Sequence, residues 1–274
     1  MTLGVDSRQL LSYEKPPVNE VICSVLFDPI EALLTPHIGL LWQRFQPDYP
    51  FCNEVAPVAP KVEVFNNNQV IETMLEESDL PYLPRVWFIS SDDTKIVQIQ
   101  RDRLTHNWRK ISPNSEYPRY DSLIKAFQGH LTSFNGFLQE AELGTIHIRQ
   151  YELSYVNQIS QGEAWETLED IGKIFPDFKW QNSLERFLPK PQYIHWHTKF
   201  DLPEEFGRLH ISITNGLADN HPTLLFQLSV RGIGKYSSLD LMQNWFDVAH
   251  EWTVQAFADL TDKKIQTNIW KRRG

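Results

Sequence analysis

The 274-residue sequence predicts an α+β fold, an antiparallel sheet carrying two long helices on one of its faces. Three observations lead there. From Asp121 to Leu143, apolar residues recur at Leu123, Ile124, Phe127, Leu131, Phe134 and Leu138, the stripe of an amphipathic helix. A second stripe runs from Ser238 to Thr261 through Met242, Trp245, Phe246, Ala249, Trp252, Ala256, Phe257 and Leu260. Short alternating runs joined by turn-length connections precede each helix, which makes neighbouring strands antiparallel hairpins. The order strand, helix, three strands, long helix also occurs twice, offset by roughly 130 residues. The expectation is a duplicated β-α-β-β-β-α unit of the saddle or helix-grip kind. Residues 1–145 form the first unit and 146–274 the second, within one pseudo-symmetric domain.

Taken in order, "EVICSVLF" (20–27) is a short apolar run rich in β-branched residues and reads as a buried strand. Thr35-Pro36 reads as an N-cap followed by proline at the first helical position, opening "PHIGLLWQRF". Pro47 and Pro50 end that helix. "KVEVF" (61–65) alternates as a strand, and the acidic, proline-bounded stretch from Asn66 to Pro84 reads as loop, with room for a short helix. "RVWFIS" and "KIVQIQ" flank Ser91-Asp92-Asp93-Thr94, a hairpin connection. The first long helix follows, stopped by Gly144. In the second unit, "HIRQYELSYVNQI" (147–159) is a strand and "EAWETLEDIGKIF" (163–175) a helix. "YIHWHTKF" (193–200), "RLHISIT" (208–214) and "TLLFQLSV" (223–230) are three strands before the second long helix. "IQTNIW" (265–270) reads as a final strand.

Composition narrows the function classes. A formal charge of −9 makes the chain no general phosphate-binding surface, so nucleic acid would need a local patch. Two cysteines, Cys23 and Cys52, without a CxxC pair signal neither a disulfide framework nor a cysteine-rich zinc site. The start, MTLGVDSRQLLSYEKPP, lacks a signal-peptide apolar run, and no stretch has the roughly 20 apolar residues of a membrane helix. A soluble, cytoplasmic protein is expected. No P-loop, GxSxG elbow, HExxH or kinase signature is present, so no catalytic residue, cofactor or metal is assigned.

Alternation sorts the later strands into two faces. Ile194, Trp196, Thr198 and Phe200 fall with Leu209, Ile211, Ile213, Leu224, Phe226, Leu228 and Val230 on a greasy face that takes the helices. His195, His197 and Lys199 fall with His210, Ser212, Thr214, Leu225, Gln227, Ser229 and Arg231 on a polar one. His195, His197, His210, Gln227 and Arg231 are the candidate residues of a small-molecule or metal pocket, read as lying between sheet and helix.

The densest positive stretch is "KIVQIQRDRLTHNWRK" (95–110), where Lys95, Arg101, Arg103, Arg109 and Lys110 stand against Asp102 alone. Read as one strand running on past Gln100, it places Gln98, Gln100, Asp102 and His106 on one face and either overhangs the core or bends. Trp108 beside Arg109 has the makings of a contact hot spot. Three stretches resemble a sporadically distributed, uncharacterised bacterial family of similar length. They are "YEKPPVNEVICSVLF", "IVQIQRDRLTHNWRK" with "YPRYDSLIKAF", and "YELSYVNQI". The resemblance brings no catalytic assignment, and its patchy occurrence suits mobile-element or phage-defence cargo. It draws attention to Gln100, Arg101, Asp102, Arg103, Asn107, Trp108 and Arg109. The function expected is a non-enzymatic recognition module. It would bind a protein partner through the polar face and the patch of Gln98, Gln100, Arg101, Asp102, Arg103, His106, Asn107, Trp108 and Arg109. The rival is a small-molecule or metal-binding enzyme using the pocket named above.

Overall fold

The computed structural model describes residues 11–64, 70–72, 83–178, 187–233 and 239–273. Strands β1 (Ser12–Tyr13) and β2 (Val18–Phe27) lead to helix α1 (Thr35–Phe45). Then come β3 (Phe51–Val55), the short β4 (Lys61–Glu63) and β5 (Val70–Glu72), and the run β6 (Arg85–Ile89), β7 (Lys95–Gln100) and β8 (Arg103–Arg109). Helix α2 (Tyr120–Glu140) is followed by β9 (Ile148–Ser160), the one-turn α3 (Ile171–Ile174), β10 (His195–Asp201), β11 (Arg208–Ala218) and β12 (His221–Ile233). Helices α4 (Leu239–Leu260) and α5 (Lys263–Asn268) and the two-residue β13 (Arg272–Arg273) end the chain.

Among the described residues nine strands form one sheet in the order β10-β11-β12-β9-β2-β8-β7-β6-β3, every pair antiparallel. β2 and β9 pair at its centre, and a meander runs outward from each. Cross-strand register carries the alternation through the sheet. Val21, Cys23 and Val25 stand opposite Trp108, His106 and Leu104 on one side and Tyr155, Leu153 and Tyr151 on the other. This is the face that both long helices cover. Phe134 of α2 meets Phe27, Trp245 of α4 meets Tyr151, and the helices meet each other through Phe127 and Phe246, 5.2 Å between ring centres. Fully burying each such ring stabilises the fold by about 1.5–3 kcal/mol. At Gly232 the sheet backbone is closely covered by the β10–β11 connection and by the Trp245 side chain of α4. A Cβ on Gly232 would lie 2.5 Å from the Phe206 carbonyl oxygen and 2.6 Å from Trp245 Nε1.

Several expectations change. The cap of α1 is Leu34, and Thr35 and Pro36 lie inside its first turn. The His37 ring closes that end, its Nδ1 accepting from the Leu34 N–H at 3.0 Å. The helix expected over 163–175 is a single turn of α-helix after a 3₁₀ turn. Asp170 Oδ2 accepts from the backbone N–H groups of Glu166 and Thr167, holding the chain in a capped turn there. Residues 265–270 are not a strand. Asp262 caps α5, accepting from the N–H groups of Lys264 and Ile265, and only Arg272–Arg273 pairs, with β1. Of the stretch read as loop over 66–84, residues 70–72 form β5 against β4; 66–69 and 73–82 lie outside the described residues.

The largest change concerns 95–110. It is not one strand but a hairpin, β7 and β8, turning at Arg101-Asp102, with Gln100 opposite Arg103. β8 pairs with β2, so this hairpin lies inside the sheet rather than overhanging it.

Candidate functional site

The polar face predicted for β10, β11 and β12 is present: the register places His197 opposite Ser212, Lys199 opposite His210, and Arg208 opposite Arg231. It continues through Glu152 and Gln150 of β9 to Arg103 and Gln100. This face is turned away from α2 and α4. His195, His197, His210, Gln227 and Arg231 therefore line no space between sheet and helix, because their strand parity points them to the opposite side.

Nor is the face open across its middle. Residues 58–63, ending in β4, cross it and are held by two buried glutamines. Gln100 accepts from the Val58 N–H and donates to the Val58 carbonyl, both at 2.9 Å. Gln150 accepts from the Glu63 N–H at 2.8 Å and donates to the Lys61 carbonyl at 2.9 Å. Each amide thus pairs with the strap as a neighbouring strand would.

The strap delivers Glu63 into a buried ionic cluster. Its carboxylate accepts from Arg208 Nη1 at 2.8 Å, bonds His210 Nε2 at 2.6 Å and lies 3.7 Å from Arg231. Arg208 also donates to Asp201, and Arg231 donates to Glu152 at 2.9 Å, giving a line of alternating charge across four strands and the strap. Burial pushes the Glu63 carboxyl up, but His210, Arg231 and Arg208 outweigh it and hold it below the ordinary carboxylate range. Glu152 is held low by Arg231 in the same way, against its burial. The sequence offered Glu63 only as one acid in a short strand. The His197 and His210 rings stack at 5.7 Å, and burial followed by His210, Lys199, His195 and Arg231 holds His197 below its ordinary value. Among the described residues no three His, Cys, Asp or Glu side chains converge on a metal position.

The residues of the 95–110 patch divide between the two faces. Trp108 is 2% exposed and packs on Tyr117 on the helix side. His106, also on that side, is 1% exposed, with neither ring nitrogen bonded. It lies 4.9 Å from the His130 ring, and burial holds both imidazoles low, His130 at about 4. On the polar side, Gln98 accepts from Arg85 and the Trp87 indole and donates to Asn107, which donates to Glu20 at 2.6 Å. Asp102 accepts from Gln100, and Arg109 is paired with Asp93. Arg101 donates to the Leu33 carbonyl at 3.4 Å.

Arg103 differs from these. Half-buried on the polar face, it has no hydrogen-bond or ion-pair partner among the described residues, and its Nε is shielded from solvent. Glu152 and Asp102 feel its charge without bonding it. One strand further out lies Arg85, beyond Gln100 in the same cross-strand row, and its Nε is buried and unbonded too. Burial first, and Arg103 second, hold Arg85 below the usual guanidinium value. Its guanidinium lies over the Trp87 ring at 5.5 Å. Sequence reasoning missed Arg85; its parity with Gln98 and Gln100 across the β6–β7 hairpin was the available signal.

Under the helices, Tyr117 donates to Tyr155, whose hydroxyl meets His250 Nδ1 at 2.9 Å, and Tyr120 stacks on His250 at 4.1 Å. Burial lifts Tyr117 to about 12 and lowers His250 to about 4, so each stays uncharged near neutrality. A surface cleft of about 330 Å³ lies elsewhere, between Trp165, Leu168, Gln192 and Asn215, with Glu169 and Lys190 paired at its edge. No helix is long and apolar enough to cross a membrane among the described residues.

No protein-family model and no curated protein matches the chain. Among solved structures it is similar to DynU16, a protein of the dynemicin biosynthetic locus, at 12% identity, covering 88% of this chain and 97% of that one. The TM-score of 0.24 is too low to carry an argument about fold or function.

Proposed function

We propose that this chain is a non-enzymatic recognition protein that receives an acidic segment of a protein partner on the polar face of its sheet, at Arg85 and Arg103. The observation that carries this reading is the pair of neighbouring guanidiniums with buried, unbonded Nε atoms and no counter-ion on Arg103 among the described residues. Two like charges side by side oppose folding until an anion joins them, and a carboxylate offers guanidinium groups paired, charge-assisted bonds. The chain's net charge of −9 disfavours the polyanionic alternative, since a nucleic acid would meet repulsion beyond this spot. The site replaces Trp108 and Arg109 as the contact centre, because the first is in the core and the second is paired with Asp93.

The finer architecture belongs to the same proposal. Outward from the central β2–β9 pair, the orders β2-β8-β7-β6 and β9-β12-β11-β10 mirror each other. That supports a duplicated unit with halves 1–145 and 146–274, α1 matching α3 and α2 matching α4, as in helix-grip folds. Composition favours a cytoplasmic setting, and the patchy family resemblance makes mobile-element or phage-defence neighbours the first partners to try.

The test is capture from host lysate by tagged wild type and by Arg85→Gln/Arg103→Gln, with and without nuclease, on proteins of equal melting temperature. A protein kept after nuclease and lost in the variant, whose binding to the wild type a free poly-glutamate chain competes, is the expected result. Loss to nuclease moves the reading to nucleic acid. Equal capture by the variant, or no capture, overturns it.

A further inference from the structure

The two ends of the sheet are built differently. At one end β3 is five residues long and bracketed by Pro50 and Pro57, with Pro60 beyond. Prolines lack the N–H that an added strand would need, so extension along this edge is limited to the short stretch between them. At the other end β10 runs for seven residues, and no proline occurs between Pro191 and Pro203. Its surroundings are apolar and exposed: Phe200 is 48% exposed and Tyr193 63%, and Phe187 and Leu188 precede them.

The backbone bonds at both ends of β10 show which groups face outward. Ile194 accepts from the Asn215 N–H at 3.3 Å, and the Leu202 N–H donates to Gly207 at 2.8 Å. Even-numbered residues therefore bond β11. In an antiparallel ladder that leaves His195, His197, Lys199 and Asp201 with their N–H and C=O groups turned away from the sheet.

We propose that β10 pairs with β10 of a second copy of this chain, antiparallel and centred on Thr198, joining the two sheets into one. In that register the outward groups of His195 meet those of Asp201, and those of His197 meet those of Lys199. On the helix side Trp196 stands opposite Phe200, twice by symmetry, as cross-strand aromatic pairs. On the polar side the His195 imidazole faces the Asp201 carboxylate, donor to acceptor, also twice. Sliding the pairing by two residues in either direction loses both matches and shortens the ladder. The remaining opposition, His197 to Lys199, is mild near neutral pH because burial and the neighbouring cations keep His197 uncharged. This pairing uses a different surface from the Arg85 and Arg103 site and does not depend on it.

The experiment uses the full chain. Sedimentation velocity over a concentration series is expected to show reversible dimers. His197→Pro removes an outward N–H while leaving the bonds to β11, and is expected to weaken the dimer by at least about tenfold. In a Cys52→Ser background, Thr198→Cys places two thiols on the two-fold axis, with Cβ atoms about 4.5–5.5 Å apart, near disulfide range. Mild oxidation should then link two chains, whereas Leu217→Cys, at the far end of β11, should not. Wild type that stays monomeric overturns the proposal. So does a dimer that His197→Pro leaves intact, or one in which Thr198→Cys links no faster than Leu217→Cys. Should His197→Pro fail to fold, the cysteine pair decides alone.

Discussion

Replacing Glu63 by alanine tests the account of the polar face most directly. The Glu63 side chain is 0% exposed and Arg208 1%, so the pair they form is out of water. Without the carboxylate, Arg208 loses its buried partner and keeps the exposed Asp201, while Arg231 keeps Glu152. Removing one member of a buried pair costs about 3–5 kcal/mol, because the partner's charge stays buried. With an unfolding entropy of about 2.1 cal/mol/K per residue over 274 residues, that is a fall in melting temperature of about 5–9 °C. Calorimetry or circular dichroism at pH 7 reads it directly. The pH dependence carries a second signature. The folded carboxyl titrates below its unfolded value, so its contribution is complete above the unfolded pKa and is lost as pH falls through the folded one. Glu63→Gln, which keeps the shape and loses the charge, should flatten the stability curve below about pH 4.5. A melting temperature within about 1 °C of wild type for Glu63→Ala would refute the claim that the strap is clamped by charge.

Three more outcomes follow from the packing. Trp108→Ala empties a core position beside Tyr117 and should cost about 3–5 kcal/mol in urea denaturation; a surface-like cost under 1 kcal/mol would return Trp108 to the outside. Gly232→Ala drives a Cβ into the Phe206 carbonyl and the Trp245 ring and should cost about 1–3 kcal/mol with a shifted tryptophan emission, unlike Gly216→Ala, which meets nothing within 4 Å. His130 and His250 titrate near 4 in the fold, so between about pH 6.5 and 4 the unfolded chain binds protons that the folded chain does not. Stability should fall across that window by about 3 kcal/mol for each, and a flat urea midpoint from pH 7 to 4.5 would contradict their burial as neutral rings.

The two faces of β10, β11 and β12 were legible because side-chain parity is a property of the chain itself. Every pairing in the register keeps the residues assigned to each face together. The two long helices were legible for the same reason, their stripes being local and uninterrupted. The β7–β8 turn was not. Arg101-Asp102 contains no glycine, asparagine or proline, and Gln100 opposite Arg103 shows that parity reverses across it. Counting straight on from Gln98 and Gln100 therefore put His106 on the polar side, when it stands beside Cys23 under the helices.

The ionic cluster was hidden for a different reason. Glu63 reaches Arg208 across 145 residues and His210 across 147, and no pattern within a strand reports a partner at that distance. Alternation tells which side chains leave the greasy face; it does not say that they reach water. Here part of the polar face meets a strap, and its charges are neutralised in pairs, Arg208 with Glu63 and Arg231 with Glu152. Arg103 lies in the same row as the strap-binding Gln100, but no acid bonds it among the described residues. On this face the buried cations are matched by bonded acids, whereas among the described residues none matches the half-buried Arg103. That contrast with Arg208 and Arg231, more than the local density of positive charge, is what singles out Arg103.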